Sequence, residues 1–282
     1  MEIALHAEGL TKQYSSFRID NVNFRLPRGY IMGLIGRNGA GKTTTIKLIL
    51  GIAQKESGRV DLLGRGDPAG NKHILSHVGF CLDDSGHYSE LTAAENAKFL
   101  KMAYGVKWDN AKFQKLIKGF GIPLDKKMKE FSTGMVSQFK IATALCHNAE
   151  LLILDEPTSG LDPVVRREIL SLLQKEVSEQ ECSILFSTHI TSDLDRIADY
   201  ITLIDGGRVA LSDETEEIIQ GHQLVKGIGS LQSGDIEKTI GYERGSHGFS
   251  AMIKKSALKT PGLTRETPNL EDIMYYYTRR EL

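Results

Sequence analysis

A glycine-rich loop with one lysine and two threonines carries the strongest chemical signal in the sequence. Residues 36 to 43 are GRNGAGKT, a complete phosphate-loop pattern with the apolar run YIMGLIG across its start and the helical pattern TTTIKLILGI after it. Glycines let the backbone turn several N–H groups toward one phosphate, and the positive end of the following helix points to the same place. The residues expected to bind a nucleotide are Gly36, Asn38, Gly39, Ala40, Gly41, Lys42, Thr43 and Thr44.

Within this loop, three side chains have separate expected roles. Lys42 should contact the β and γ phosphates, Thr43 should give its hydroxyl to Mg2+, and Thr44 should donate to a phosphate. The alternative is a glycine-rich turn with a chance GKT, and the strand before the loop and the helix after it disfavour that alternative.

Two adjacent carboxylates follow the apolar run LLIL. Asp155 and Glu156 stand at the C-terminal edge of a predicted parallel strand, which is where an α/β sheet places its ligand site. Asp155 suits Mg2+, directly or through water, and Glu156 is placed to polarise an attacking water as general base. A solvated turn would explain two acids equally well if the phosphate loop were absent.

These residues need a sheet that brings several strand ends together. LLILDEP, SILFSTH and YITLID are predicted strands that alternate with the helical patterns VVRREILSLLQKEV and SDLDRIADY. This order predicts an α/β fold with a mostly parallel sheet and helices on both faces. The alternating segments EIALHAEGL and FRIDNVNFRL predict an antiparallel β subdomain at the N-terminus.

Two further parts are predicted around this core. A helical insert should occupy about residues 85–147, with AENAKFLKMAYG and NAKFQKLIKGFG as amphipathic helices closed by glycine. After residue 214 the alternation ends, and short strands precede the terminal helix pattern PNLEDIMYYYTRREL. We therefore expect a main domain at 1–214 and a small α+β extension at 215–282, with the run of three tyrosines, 275 to 277, serving packing.

Bulk composition excludes several classes of function. The 35 basic and 36 acidic residues nearly cancel, so no polyanionic partner such as DNA or RNA is expected. Cys81, Cys146 and Cys182 show no CxxC pairing and are expected to be reduced core thiols. Neither a secretory signal nor an apolar run near the roughly 20 residues of a membrane span is found, so any membrane should belong to a partner.

Four motifs together resemble a known family. GRNGAGKT, FSTGM at 131–135, LLILDEPTSGLD at 151–162 and STH at 187–189 occur in the order and spacing of an ATP-binding-cassette nucleotide-binding domain. The resemblance covers about residues 2 to 220 and implies a P-loop NTPase core that binds and hydrolyses ATP with Mg2+. It also implies that two such cassettes pair head to tail around ATP.

The resemblance assigns further residues by position. Tyr14 resembles the aromatic residue that stacks on adenine, with a buried edge-strand tyrosine as the alternative. Ser132 and Gly134 match the signature motif that closes on a nucleotide held by the other subunit. His189 resembles the switch histidine that senses the γ phosphate, and acts with Glu156 and Lys42 in catalysis.

Two positions depart from the family pattern. Where relatives often have glutamine or glutamate, VGFCLDD places Asp83, which is expected to serve as a metal-site residue with a shorter reach than glutamine. In the signature, Met135 replaces glutamine and Gln138 replaces a basic residue. Neither change removes a principal catalytic group.

Resemblance also indicates the biological role. The single cassette and its tail look most like the ATPase subunits of bacterial exporters of drugs, antibiotics or toxic peptides, which sit peripherally on the cytoplasmic side of the cell membrane. The expected partners are a multi-span membrane permease subunit and a second cassette, identical or homologous. For the tail, dimer stabilisation is favoured over substrate sensing.

Three other functions remain as alternatives. A soluble cassette ATPase acting on DNA or ribosomes is disfavoured because the chain lacks a coiled-coil insertion, a second cassette and a basic excess. A module that binds ATP without hydrolysis is disfavoured by Glu156 and His189. A GTPase or small-molecule kinase lacks support because there is no NKxD sequence and the signature would be unexplained.

Overall fold

The computed structural model describes residues 1–82, 87–246, 248–255, 258 and 260–279. Its strands, in chain order, are β1 Ile3–Gln13, β2 Arg18–Pro27, β3 Ile31–Ile35, β4 Ser57–Leu62, β5 Val78–Cys81, β6 Leu151–Asp155, β7 Ser183–Thr188, β8 Tyr200–Asp205, β9 Arg208–Glu214, β10 His222–Gly227, β11 Thr239–Arg244, β12 Phe249–Lys254 and β13 Thr264–Glu266. Its α-helices are α1 Lys42–Ile49, α2 Lys72–Leu75, α3 Ala93–Tyr104, α4 Asn110–Gly119, α5 Thr133–Leu145, α6 Pro163–Gln180, α7 Thr191–Ile197, α8 Thr215–Gly221, α9 Ser233–Ile236 and α10 Leu270–Thr278.

A six-stranded sheet forms the centre of the molecule, in the order β5-β6-β7-β3-β8-β9. The first five strands of this order are parallel, and β9 pairs antiparallel with β8 at the edge. Every residue of β3, β6 and β7 is buried, because helices cover both faces of a parallel sheet. The predicted α/β fold is therefore confirmed, and the C-terminal ends of β3, β6 and β7 meet at one edge.

An antiparallel sheet in the order β2-β1-β4 lies beside this core, as the N-terminal alternation predicts. Its buried side chains, including Leu5, Leu10 and Val22, belong to one apolar cluster with Ile46 and Ile49 of α1. The helix that follows the phosphate loop is thus packed against the N-terminal sheet.

The helical insert contains α3, α4 and α5 around an apolar cluster of its own, built on Trp108, Phe113 and Phe139. Thr92 and Glu95 form a capping box at the start of α3, and Gly105 closes the same helix, as its sequence predicts. The insert therefore forms a small apolar core that is joined to the main sheet through α5.

A buried histidine at the base of the insert makes the fold sensitive to acid. His147 is fully buried, and its ring stacks on Tyr104 with centroids 3.8 Å apart. Burial lowers the pKa of His147 to about 4. The pKa of histidine in the unfolded chain is about 6.5. As the pH falls from about 6.5 to about 4, the unfolded chain binds a proton that the folded chain does not bind, so the free energy of unfolding falls.

We expect the free energy of unfolding to lose up to about 3 kcal/mol from this histidine between pH 7 and pH 4, since one pKa unit corresponds to about 1.4 kcal/mol. In urea titrations at both pH values, His147→Phe should keep the ring stack and remove this part of the acid loss. His73→Phe, on an exposed histidine, is the control and should retain it. Equal acid loss in both variants would contradict the assignment.

The longest helix lies on the surface of the main sheet. α6 has 18 residues, and only Ile169, Leu170, Leu173 and Glu176 along it are buried. In the ranges that the structure describes, no helix has both the length and the apolar character needed to cross a membrane.

The C-terminal segment forms an antiparallel sheet in the order β11-β12-β10-β13 together with α10. Leu270, Ile273 and Tyr276 of α10 lie in the same apolar cluster as Leu194 and Ile197 of α7. The expected α+β extension is therefore confirmed as part of the fold, and its terminal helix packs on the main core. A domain boundary at residue 214 stays a prediction.

Candidate functional site

The phosphate loop joins β3 to α1 in the geometry that its sequence predicts. At Gly36 a Cβ atom would lie 2.3 Å from the carbonyl oxygen of Ile204, so no other residue fits without backbone movement. Gly41 has a φ of +113° immediately before α1, and a Cβ there would lie 2.8 Å from the ring of Phe17. Close packing requires glycine at position 36, and close packing together with a left-handed backbone requires it at position 41. The backbone path through these glycines sets where α1 begins.

Lys42 is a buried cation at the first position of α1. Its side chain is only 6 % exposed, and its Nζ donates to the carbonyl oxygen of Gly36 at 2.8 Å and lies 3.2 Å from Glu156 Oε1. A buried ammonium group needs anionic or carbonyl partners, and a phosphate offers the same kind of oxygen. The lysine is therefore held where it can exchange Glu156 for a phosphate.

Thr43 and Asp155 form the pair predicted for a metal ion. The Thr43 hydroxyl donates to Asp155 Oδ2 at 2.6 Å, and burial raises the pKa of Asp155. The other oxygen, Oδ1, is buried without a hydrogen-bond partner among the described residues. An unsatisfied carboxylate oxygen beside a hydroxyl fits Mg2+, which usually takes one or two protein oxygens and completes its shell with water and substrate phosphate.

Glu156 and His189 face each other at the ends of two neighbouring strands. His189 Nδ1 lies 2.8 Å from Glu156 Oε2, so the two side chains share a hydrogen bond. Glu156 has a φ of +49°, a left-handed backbone that is uncommon for a residue with a side chain. Strained backbone of this kind persists only where the surrounding structure enforces it, and it turns the Glu156 carboxylate toward both Lys42 and His189.

Most of these groups line one cleft of about 560 Å3. The side of the cleft formed by the phosphate loop and the strand ends is lined by Asn38, Gly39, Gly41, Lys42, Thr43, Thr44, Glu156, Ser159 and His189. Gly36, Ala40 and Asp155 are buried and do not line the cleft, although Asp155 accepts a hydrogen bond from Thr43, which does. The structure thus brings together the residues that the sequence predicts for phosphate binding and for water activation.

The expected adenine aromatic does not line this cleft. Tyr14 is the first residue after β1 and its side chain is 37 % exposed, so it is not the buried edge-strand tyrosine of the alternative interpretation. Phe17, at the other end of the same hairpin loop, lines the cleft and packs against Gly41. Sequence reasoning missed Phe17, although an aromatic residue three positions after Tyr14 was a visible signal. A stacking role for Tyr14 stays a prediction.

The signature residues begin α5. Ser132 caps the helix by accepting a hydrogen bond from the backbone N–H of Met135, and a Cβ at Gly134 would lie 3.3 Å from Leu161. Thr133 and Ser137 line the cleft of their own chain. The expectation that Ser132 and Gly134 approach a nucleotide in a second subunit stays a prediction. Asp83 lies outside the described residues.

A protein family described as "ABC transporter" matches residues 19–159, which is half of the chain. Among curated relatives, the bacitracin transport ATP-binding protein BcrA of Bacillus licheniformis is 37% identical over 211 residues, 74% of this chain and 69% of its own length. The lantibiotic transport ATP-binding protein SrtF of Streptococcus pyogenes is 35% identical over 213 residues, 74% of this chain and 90% of its own length.

Solved structures share the fold. The ATP-binding subunit of an ABC transporter superposes with a TM-score of 0.67 at 30% identity, covering 76% of this chain and 91% of that chain. A dimeric post-hydrolysis ATP-binding cassette bound to ADP and Pi has a TM-score of 0.66 at 21% identity, covering 74% and 98%. The fold and site define a phosphate-loop ATPase. The chain belongs to the ABC transporter family and is an ATP-binding-cassette ATPase.

Proposed function

We propose that this chain powers a bacterial exporter of a drug, antibiotic or peptide, in which two cassettes close on ATP and a separate multi-span membrane subunit carries the substrate. The convergence of Lys42, Glu156 and His189 in one cleft is the observation that carries the proposal. The names of the bacitracin and lantibiotic relatives support the substrate class.

ATP would lie along the phosphate loop with its γ phosphate beside Lys42. Asn38, Gly39, Gly41 and Thr44 line this part of the cleft, where their backbone N–H groups and polar side chains could donate to the phosphates. Lys42 would leave Glu156 for the β and γ phosphates, since a phosphate offers it more negative charge. The carboxylate of Glu156 would then be free to accept a proton.

Hydrolysis would proceed by in-line attack of water on the γ phosphorus. Glu156 takes one proton from the water, a bond forms from the water oxygen to the phosphorus, and the bond to the β–γ bridging oxygen breaks to leave ADP. His189 would orient the water and contact the γ phosphate. Thr43 and Asp155 would hold Mg2+, which neutralises charge on the phosphates when it is bound; Asp83 remains a further candidate for that site.

A second copy would complete the site with its signature helix. Ser132 caps the N-terminus of α5 and Gly134 lies in its first turn, so the positive end of the helix dipole at these residues would suit a γ phosphate. ATP would then join two cassettes head to tail, and its hydrolysis would release them. The second cassette is either a copy of this chain or a homologous cassette.

An exposed apolar patch on the insert suits the membrane subunit. Tyr88, Phe99 and Met102 are 65%, 52% and 71% exposed, and the rings of Tyr88 and Phe99 lie 5.7 Å apart. Phe99 and Met102 are three residues apart on α3 and so share one face of the helix. Grouped exposed apolar side chains of this kind mark interaction sites, and binding there would place this chain on the cytoplasmic side of the membrane.

The patch gives a test of the partner. Phe99→Glu should reduce co-purification with the membrane protein encoded beside this chain's gene at least tenfold, because a charge would replace the aromatic side chain that the membrane protein would cover. Ala94→Glu adds the same charge about 140° around the helix and should leave co-purification unchanged. Equal recovery of both variants with the membrane protein would contradict docking at this patch, and ATP turnover without any such partner gene would favour the alternative of a soluble ATPase.

A further inference from the structure

A buried hydrogen bond links the two segments that carry Glu156 and His189. The Thr158 hydroxyl donates to Asp193 Oδ2 at 2.7 Å, although the two residues are 35 positions apart in the chain. Thr158 is 0% exposed and Asp193 is 3% exposed. A carboxylate that is removed from water in this way is costly unless it is bonded, so the pair has a defined geometry.

Each partner stands next to a residue of the candidate site. Thr158 lies two residues after Glu156, in the turn that leaves β6, and Asp193 lies in the first turn of α7, four residues after His189. The turn at Glu156 is strained, with a φ of +49°, and is otherwise tied to β7 by the backbone bond from Glu156 N to Ser187 O at 2.9 Å. The Thr158 bond supplies a side-chain restraint on the far side of that turn.

Arg166 gives the pair a third member. The Arg166 side chain projects from α6, and its Nε lies 3.9 Å from Asp193 Oδ1. α6 begins after Asp162, whose side chain caps the helix, so the loop from Ser159 to Asp162 runs between Thr158 and the helix that holds Arg166. A movement of this loop would therefore displace Thr158 and Arg166, which approach the two carboxylate oxygens of Asp193.

We propose that Thr158 and Asp193 are positioning residues that hold the Glu156 carboxylate and the His189 ring in their shared geometry. Neither residue is among those that line the cleft, so they act through Glu156 and His189 and not on the nucleotide itself. Under the proposed function, on which this inference rests, Glu156 and His189 act on the attacking water and the γ phosphate. Without the Thr158 hydrogen bond, the turn after β6 is less restrained, and the Glu156 carboxylate can move away from His189.

Removing one hydroxyl tests the pair. Thr158→Val keeps the shape of the side chain and should lower kcat for ATP ten- to hundredfold while KM stays within about twofold, since small misplacement of a catalytic group has effects of this size. Thr158→Ser restores the hydroxyl and should recover kcat to within about threefold of wild type. Thr202→Val is the matched control, because Thr202 is equally buried and its hydroxyl bonds Ser212, away from the cleft.

A double variant separates positioning from general weakening of the fold. If Thr158 acts by positioning the Glu156 carboxylate, then Thr158→Val combined with Glu156→Gln should be no slower than Glu156→Gln alone. Multiplied losses in the double variant, or equal losses in Thr158→Val and Thr202→Val, would overturn the proposal. Wild-type kcat in Thr158→Val would overturn it too while leaving the proposed function intact, whereas normal turnover in Glu156→Gln would contradict the proposed function itself.

Discussion

Replacing Glu156 with glutamine should lower ATP turnover about a thousandfold while leaving ATP binding nearly unchanged. Glutamine has almost the same shape and can accept the hydrogen bond of His189, but it cannot take a proton from water; general-base catalysis is worth about 10² to 10⁴ in rate. The measurement is steady-state phosphate release with ATP and Mg2+, paired with equilibrium binding of a fluorescent ATP analogue.

The control for this variant is Glu168→Gln, which makes the same chemical change on an exposed residue of α6. It should retain wild-type turnover and binding. If Glu156→Gln hydrolyses ATP at the wild-type rate, then another group activates the water, and the assignment of the general base is wrong.

Replacing Lys42 with methionine should weaken nucleotide binding about a hundredfold. The ammonium group is buried and already within reach of two kinds of oxygen, the Gly36 carbonyl at 2.8 Å and the Glu156 carboxylate at 3.2 Å. Two charge-assisted hydrogen bonds to phosphate, at about 1.5 kcal/mol each, account for a loss of this size. The binding constant for ATP, measured with the fluorescent analogue by competition, gives the result.

Lys47→Met, in the last turn of the same helix, is the comparison variant for Lys42→Met. It removes one positive charge at a position outside the cleft and should change the binding constant less than about threefold. A similar loss in both variants would show that the effect comes from the charge of the helix and not from contact with phosphate.

Most of the site follows from sequence because its motifs require particular local structures. The phosphate loop needs a strand before it and a helix after it, and β3 and α1 have those positions. Asp155 and Glu156 follow an apolar run that could only be a buried strand, which β6 is. Local pattern and position in the fold agree here, so the sequence alone was sufficient to place these residues at the ends of β3 and β6, and their roles stay predictions.

Other features depend on contacts between distant segments and were not predictable. The Thr158 to Asp193 bond joins residues 35 positions apart, and no pattern in either segment indicates it. The resemblance groups Glu156 with Lys42 and His189, but it does not indicate that the Glu156 carboxylate contacts both of them at once. Phe17 differs from these, since its aromatic side chain in the loop after Tyr14 was a local signal.

Edge elements were missed for a different reason. β9 pairs antiparallel at the edge of a parallel sheet, and along it no residue is fully buried. Half-exposed strands carry weak hydrophobic alternation, so RVALSDE gives little signal. The helix α8, which follows directly, has one buried residue, Ile218, and was not predicted because seven residues with one buried side chain show no helical period.

The most direct test of the account is the size of the Glu156→Gln variant in solution, measured by size exclusion with light scattering in Mg2+ and either ATP or ADP. Closure of two cassettes on unhydrolysed ATP predicts a dimer with ATP and a monomer with ADP. The double variant Glu156→Gln, Ser132→Arg should stay a monomer with ATP, because the signature helix is blocked on both chains. A monomer in both nucleotides, from a chain whose wild type hydrolyses ATP, would contradict a mechanism in which two cassettes share the nucleotide.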